Sequence, residues 1–235
     1  MTEVVIILVA LLPAIVLWVY IWRKDSQPDP TSQLIKAVLY GIVIIIPVYF
    51  VELAYGILLW GPDGEPSSIV GAFVDAFIVA ALPEESFKLF ALWFLLRKNP
   101  YFDEHFDGIV YAVSIGLGFA AVENVFYLFG NMEEWQSVAI ARAFLTVPGH
   151  YAFAVIMGYY YSVYHFKDHS VRTSIKILLM PVLAHGCYDA IALSGSVEPA
   201  IGGLSAFVLI LFCIKMHKHV RIEMLEQLDK SRMGT

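Results

Sequence analysis

Long apolar runs, separated by short polar connectors, dominate the pattern of this chain. Each run is long enough for a helix that crosses a bilayer, which needs about 20 apolar residues. The runs span residues 3–22, 34–60, 69–96, 108–129, 137–164, 173–194 and 200–216. The pattern therefore predicts an all-α, polytopic integral membrane protein with seven transmembrane helices. It predicts one domain over residues 1–235, in which residues 216–235 form a polar tail with the spacing of a short surface helix.

The charges in the connectors predict the orientation of the chain. Thirteen of its 15 Lys and Arg residues lie in or beside the segments that follow the first, third, fifth and seventh runs, and the other two, Lys88 and Arg142, lie deep within runs. The remaining connectors contain acids but no Lys or Arg. Because basic connectors stay in the cytoplasm, we expect the N-terminus outside and the C-terminus in the cytoplasm.

Composition narrows the class further. Hydrophobic residues make up 59% of the chain and charged residues 15%, whereas about a quarter of a soluble domain is charged. A net charge of −6 without a basic patch argues against nucleic acid as a partner. The first run is expected to stay as a membrane helix rather than to be cleaved as a signal peptide, because its start carries Glu3 and no basic residue, and Arg23-Lys24 follows it. Cys187 and Cys213 lie in apolar runs and are expected to be free.

The third run contains the most unusual stretch, Leu82-Pro83-Glu84-Glu85-Ser86-Phe87-Lys88. A charged group at the bilayer centre costs about 2.5–3.5 kcal/mol on insertion scales, so it persists where it is paired or functional. Pro83 suits the first turn of a helix, which predicts two half-helices or a strong kink at this point. Glu84 and Glu85 lie four and three residues before Lys88, so all three share a helical face. They are either a buried salt bridge that fixes packing or part of a site.

Three later runs also carry ionisable groups: Glu123-Asn124, His150, and His185 with Asp189 four residues on. Each alone has an ordinary explanation as a hydrogen-bonded packing residue. At ~1.5 Å per helical residue, however, these groups fall in overlapping layers, mostly in the outer half of the membrane. Independent packing residues have no reason to share a depth, so we expect one common site.

Carboxylates and imidazoles can activate water with or without a metal ion. Two His and one Glu form a known set of zinc ligands, with a further Glu as general base. The sequence has no Gly-rich phosphate loop and no Ser/His/Asp arrangement. Hydrolysis of a peptide bond within the membrane is therefore the leading interpretation. The alternative is a proton- or metal-ion-coupled transporter, since such clusters also form proton relays.

The order of these motifs resembles that of the PrsW family of intramembrane proteases. They are Glu84-Glu85-x-x-Lys88, Phe119-x-x-x-Glu123-Asn124, His150 and His185-x-x-x-Asp189. The wider group of CAAX prenyl endopeptidases and abortive-infection membrane proteins has its basic residue one position later and a His in place of Glu123. The resemblance, over residues 34–216, implies a multi-pass protein of the bacterial cytoplasmic membrane. It also implies site-1 cleavage of a single-span membrane protein, an anti-sigma factor, in an envelope-stress response.

The residues expected to be catalytic are Glu84, Glu85, Glu123, His150, His185 and Asp189, with Lys88 and Asn124 in support. Glu84 is the leading general base, although its division of labour with Glu85 stays open. Glu123, His150 and His185 are the expected metal ligands, with Asp189 as a further ligand or as a partner that orients His185. We favour zinc, because a divalent cation would offset the crowded acids; a metal-free glutamate mechanism is the alternative.

Six other polar residues near the site or in the connectors receive simpler interpretations. Arg142 and Tyr151 are explicable as an anchor and a packing residue. His217 and His219, like His165 and His169, are expected in cytoplasmic segments, and the His-rich tract Lys215-Met-His-Lys-His219 is interpreted as positively charged flanking sequence rather than a metal site.

Overall fold

The computed structural model describes residues 2–25, 27–62 and 64–219, and these residues form helices without any strand. The helices are α1 (Thr2–Lys24), α2 (Thr31–Trp60), α3 (Ile69–Val74), α4 (Leu82–Leu96), α5 (His105–Gly130), α6 (Trp135–Ala141), α7 (Val147–Phe166), α8 (Val171–Val197) and α9 (Gly202–His219). A π-helical segment, Asp75–Ala81, joins α3 to α4, and a second, Arg142–Thr146, joins α6 to α7. A short 3₁₀ helix, Pro199–Ile201, precedes α9.

The predicted class is confirmed, since six helical stretches of the described chain are long and apolar enough to cross a membrane. They are α1, α2, α5, α8, the continuous stretch from α6 to α7, and the stretch Pro199–His219. The other predicted span, residues 69–96, is helical from end to end but contains four charged side chains. The count of seven and the orientation of the termini remain predictions. Of the predicted tail at residues 216–235, residues 216–219 belong to α9, and the rest of the expected surface helix lies outside the described residues.

Helix α5 is the centre of the bundle. It packs against α1, α2, α4 and α7, and its buried residues point in every direction around its axis. A helix that is apolar all round is expected in such a position. Gly158 allows α7 to approach α5 closely, because a Cβ there would overlap the carbonyl oxygen of Gly108. Small residues at such contacts are typical of helix packing in membranes.

Two polar helix starts are capped by side chains. Ser68 Oγ accepts a hydrogen bond from the Gly71 N–H at 3.0 Å at the start of α3. Ser170 Oγ accepts one from the Thr173 N–H at 3.2 Å at the start of α8. Capping satisfies backbone donors that have no partner within the helix. The connectors thus fix where these two helices begin.

Both π-helical segments end just before a proline. The Leu82 N–H bonds to the Phe77 carbonyl before Pro83, and the Val147 N–H bonds to the Arg142 carbonyl before Pro148. A proline inside a helix removes one hydrogen bond and crowds the preceding turn. A π turn contains one extra residue, widens the turn and is frequent at functional sites. The predicted interruption at Leu82-Pro83 is therefore a π-helical segment, with no non-helical residue between α3 and α4.

The first π-helical segment also packs against α8 beside the site. The Phe77 ring lies where a side chain at Gly186 would be, since a Cβ on Gly186 would overlap it. Gly186 follows His185 directly in the sequence. This contact brings the chain before Glu84 next to the part of α8 that carries His185.

Candidate active site

Lys88 joins the two acids at the start of α4. Its Nζ lies 2.8 Å from Glu84 Oε2 and 2.9 Å from Glu85 Oε1, and it lies 4.4 Å from the centre of the Phe119 ring. All three charged side chains are buried. Removing an ion pair from water is costly unless each charge has partners of good geometry. One lysine that bonds two carboxylates, over an aromatic face, supplies those partners.

His150 lies between Lys88 and Glu123. Its Nδ1 is 3.3 Å from Lys88 Nζ, and its Nε2 is 3.0 Å from Glu123 Oε2. An ammonium group can only donate, and an ionised carboxylate can only accept. These partners require that Nε2 carries the proton and that Nδ1 is an unprotonated acceptor. The ring therefore presents its lone pair on the side of Lys88 and Glu84.

His185 has a carboxylate on each side. Its Nδ1 is 3.0 Å from Glu85 Oε1, and its Nε2 is 3.1 Å from Asp189 Oδ2. The ring stacks on Phe153, with 4.6 Å between ring centres. Because both partners accept, both ring nitrogens donate in this arrangement, which describes an imidazolium. His185 is thus a proton donor held in a fixed orientation.

Arg142 closes the cluster from the second π-helical segment. Its guanidinium lies 2.6 Å from Glu123 Oε2 and donates from Nε to Asn124 Oδ1 at 2.7 Å. The Asn124 amide then donates to the Ala10 carbonyl of α1 at 2.7 Å. Asn124 was expected to support the catalytic residues, and in this arrangement its side chain is occupied at both ends. Arg142 is more than an anchor, since it touches the residue that holds His150.

The structure brings together all eight residues that the sequence singled out. They form one connected cluster of Glu84, Glu85, Lys88, Glu123, Asn124, His150, His185 and Asp189. Tyr151 is buried and lies against Tyr20 rather than in this cluster. His165 and His169 contact aromatic rings elsewhere. His217 contacts two backbone carbonyls, those of Cys213 and Pro148.

The sequence analysis missed Glu52 on α2. This half-buried carboxylate lies within electrostatic range of Glu84, Glu123, Lys88 and His185. It could have been found as the one acid in the apolar part of the second run, where it lacks the flanking motif residues that identified the others. Its position gives the cluster a further carboxylate.

A metal ion would fit three of these residues. Glu84, His150 and His185 each offer one ligand atom, and the three atoms lie within 4.8 Å of one another. Two imidazoles and one carboxylate form a set found in catalytic zinc sites. Glu123 is outside this group, and its Oε2 bonds Arg142 and His150. The ligand set with Glu123 remains a prediction, and these distances favour Glu84 in its place.

The charge balance of the cluster also suits a cation. Glu84, Glu85, Glu123 and Asp189 are four carboxylates against two permanent cations, Lys88 and Arg142. An excess of buried negative charge is unfavourable, and a divalent ion would offset it. The donor set and the charge balance therefore both fit a bound metal.

Residues 29–216 match the family described as PrsW family intramembrane metalloprotease. The chain belongs to the PrsW family. Relatives named Protease PrsW include one from Oceanobacillus iheyensis, 35% identical over 85% of this chain and 84% of its own length. That from Geobacillus kaustophilus is 36% identical over 77% of each chain, and that from Bacillus subtilis is 34% identical over 79% of this chain and 82% of its own. No solved structure matches.

Membership in the PrsW family makes this chain a peptidase of the membrane and confirms the predicted family. Its multiple membrane-spanning helices and its bacterial relatives indicate a multi-pass protein of the cytoplasmic membrane. A protease in this place implies a membrane protein as substrate and the lipid bilayer as surroundings.

Proposed function

We propose that this protein is an endopeptidase that makes the first cut in a single-span regulatory membrane protein of the anti-sigma factor type. The supporting observation is that two buried acids on α4 lie in one hydrogen-bonded cluster with an imidazole from α7 and another from α8. Paired acids and bases in fixed hydrogen bonds are what hydrolysis of a peptide bond needs. The family description supports the reaction class.

Glu84 is the residue that we propose as general base. Its Oε2 is held by Lys88, while its Oε1 faces His185 Nε2 at 4.0 Å. A polar gap of this width can hold a bridging water. Glu84 would take a proton from that water as its oxygen attacks the carbonyl carbon of the scissile peptide.

His185 is the complementary proton donor. Its two N–H groups point to Glu85 and Asp189 in this arrangement. As the C–N bond breaks, His185 would pass the Nε2 proton to the departing amine, while Glu85, bonded to Nδ1, would hold the ring in place. Glu85 is fully buried and bonds both Lys88 and His185, so we assign it to positioning rather than to contact with the substrate.

A metal ion held by Glu84, His150 and His185 would polarise the carbonyl and lower the pKa of a bound water. The two mechanisms use Glu84 differently, as a ligand with a metal ion and as the base without one. In both, Lys88 and Arg142 keep the carboxylates in place.

The test is cleavage of a co-expressed single-span substrate by two isosteric variants. Glu84→Gln should abolish cleavage, since it removes the proposed base. Glu85→Gln should lower cleavage about 10–100-fold, the usual effect of removing a residue that orients an active-site group. Glu133→Gln, an exposed acid in the connector before α6, is the matched control. Full activity of both site variants would end the protease assignment of this cluster. Proton-coupled ion flux into liposomes, without proteolysis, would support the transporter instead.

A further inference from the structure

Arg142 is a buried cation whose part in the mechanism above is only to keep a carboxylate in place. It is 7% exposed, and it reaches two consecutive residues of α5, Glu123 and Asn124, with two different nitrogens. Its guanidinium also lies over the Tyr127 ring, 3.9 Å from the ring centre. A planar guanidinium that bonds two acceptors and stacks on a ring is held in one orientation, whereas a lysine ammonium has donors that rotate freely.

The contact with Glu123 has a consequence for His150. Glu123 Oε2 accepts from Arg142 at 2.6 Å and faces His150 Nε2 at 3.0 Å. A carboxylate held in this way keeps its oxygen at Nε2, so the ring proton is retained there. The lone pair of Nδ1 then points toward Lys88. A carboxylate that fixes the tautomer of an active-site histidine is a recurrent arrangement.

We propose that Arg142 is a positioning residue for His150. It acts through Glu123, and its purpose is to hold the His150 ring as the Nε2–H tautomer with Nδ1 directed into the site. This inference rests on the proposed function for its importance to cleavage, but the tautomer itself does not depend on any substrate.

The simpler alternative is that Arg142 only neutralises Glu123. Neutralising Glu123 needs only a positive charge and not the planar geometry of a guanidinium, so lysine at this position would serve equally well. A positioning residue needs both the contact with Glu123 and the contact with Asn124, and lysine can restore only part of this geometry. The two roles therefore differ in what Arg142→Lys does to the ring.

The experiment compares Arg142→Lys and Arg142→Ala with the wild type in two measurements. The first is the ¹⁵N spectrum of the protein labelled in its histidines, with the His150 signals assigned by their absence from His150→Gln. We expect a pure Nε2–H signature in the wild type, a mixture of tautomers in Arg142→Ala and a smaller change in Arg142→Lys. Arg97→Ala, which removes an arginine stacked on Trp93 and Phe94, is the matched control and should leave the spectrum unchanged.

The second measurement is the kinetics of substrate cleavage. Arg142→Ala should lower kcat about 10–100-fold, the usual effect of removing a residue that orients an active-site group. KM should change little, because Arg142 does not reach the substrate, and Arg142→Lys should recover part of the loss. If Arg142→Ala fails to accumulate, the double variant Arg142→Ala/Glu123→Gln replaces it. The double variant leaves no unpaired buried charge at this contact, and its ¹⁵N histidine spectrum is recorded in the same way.

The proposal is overturned if the His150 signals of Arg142→Ala, or of the double variant, match those of the wild type. It is also overturned if Arg142→Lys restores kcat completely. A changed tautomer in a protein that cleaves nothing in any form would leave this proposal standing and remove the proposed function.

Discussion

His185 shows how closely acid and base are matched in this cluster. Its two N–H groups are both occupied by carboxylates, Glu85 and Asp189. A metal ion can bind only a deprotonated nitrogen, so a metal at Nε2 would have to take the place of the hydrogen bond to Asp189. Asp189 would then be released to orient the ring or to bind from farther out.

The metal content of the purified protein is the first prediction at this scale. We expect about one equivalent of zinc, held by Glu84, His150 and His185. His150→Gln and His185→Gln should each lose most of it, whereas His165→Gln, which changes an imidazole outside the cluster, should keep it. Elemental analysis measures the content, and a strong chelator should stop cleavage reversibly. Full cleavage by metal-free protein in the chelator would favour the glutamate mechanism.

The identity of the site residues could be predicted, but their pairing could not. Spacing alone places Glu84, Glu85 and Lys88 on one face, and the structure confirms that contact. Which partner each imidazole takes depends on how α7 and α8 are rotated against α5, and helical period carries no information about that. The part played by Arg142 was missed for the same reason.

At the scale of elements, the two π-helical segments set the rotation of α4 and of α7 about their axes. Each adds one residue to a turn directly before a site helix, ahead of Glu84 in one case and His150 in the other. One residue corresponds to about 100° of rotation about a helix axis. The sequence indicated an irregularity at Pro83, but a proline predicts neither the kind of irregularity nor the direction in which it turns the helix.

Deleting Phe144 should therefore be more harmful than replacing it. Phe144 lies in the second π-helical segment and is 76% exposed, so Phe144→Ala removes almost no internal contact and should keep near-normal cleavage. The deletion restores an ordinary turn and moves Arg142 around the axis relative to His150, and it should abolish cleavage. Both forms should accumulate in the membrane, as immunoblots of membrane fractions would check. Equal activity in the two would mean that the segment does not position the site.

The close contact between α5 and α7 predicts that an added side chain at Gly158 lowers the stability of the protein. Gly158→Ala should destabilise the protein by about 1–3 kcal/mol, the usual cost of overpacking, because the added Cβ meets Gly108 and lies 2.6 Å from Ile109 Cα. Gly56→Ala is the matched control, since nothing lies within 4 Å of a Cβ there. Thermal unfolding in detergent compares them. A stability of Gly158→Ala equal to that of the control would contradict the close packing of these helices.

For the whole molecule, the position of the cluster predicts the side on which the substrate is cut. Glu123 and Asp189 lie in the halves of α5 and α8 that end at the acidic connectors, and His185 lies at the middle of α8. The charge pattern places these connectors outside the cytoplasm. The cut should therefore fall in the outer part of the substrate's span or beyond it. Mass spectrometry of the released fragments locates the bond. A cut at the cytoplasmic end would mean that the predicted orientation is inverted.

The hydrogen bond from Asn124 to α1 ends on a backbone carbonyl, that of Ala10. Every residue type offers the same carbonyl, so this bond fixes where α1 lies without choosing its side chains. What the contact does require is small size, and Ala10 and Ala14 are both buried. The match to the PrsW family begins at residue 29, after α1. Other positions of α1 do depend on their side chains, since Trp18 Nε1 donates to Ser114 Oγ at 2.9 Å and Ile6 and Ile21 are fully buried. A foreign membrane helix would therefore need these side chains, as well as the two alanines, to complete the protein.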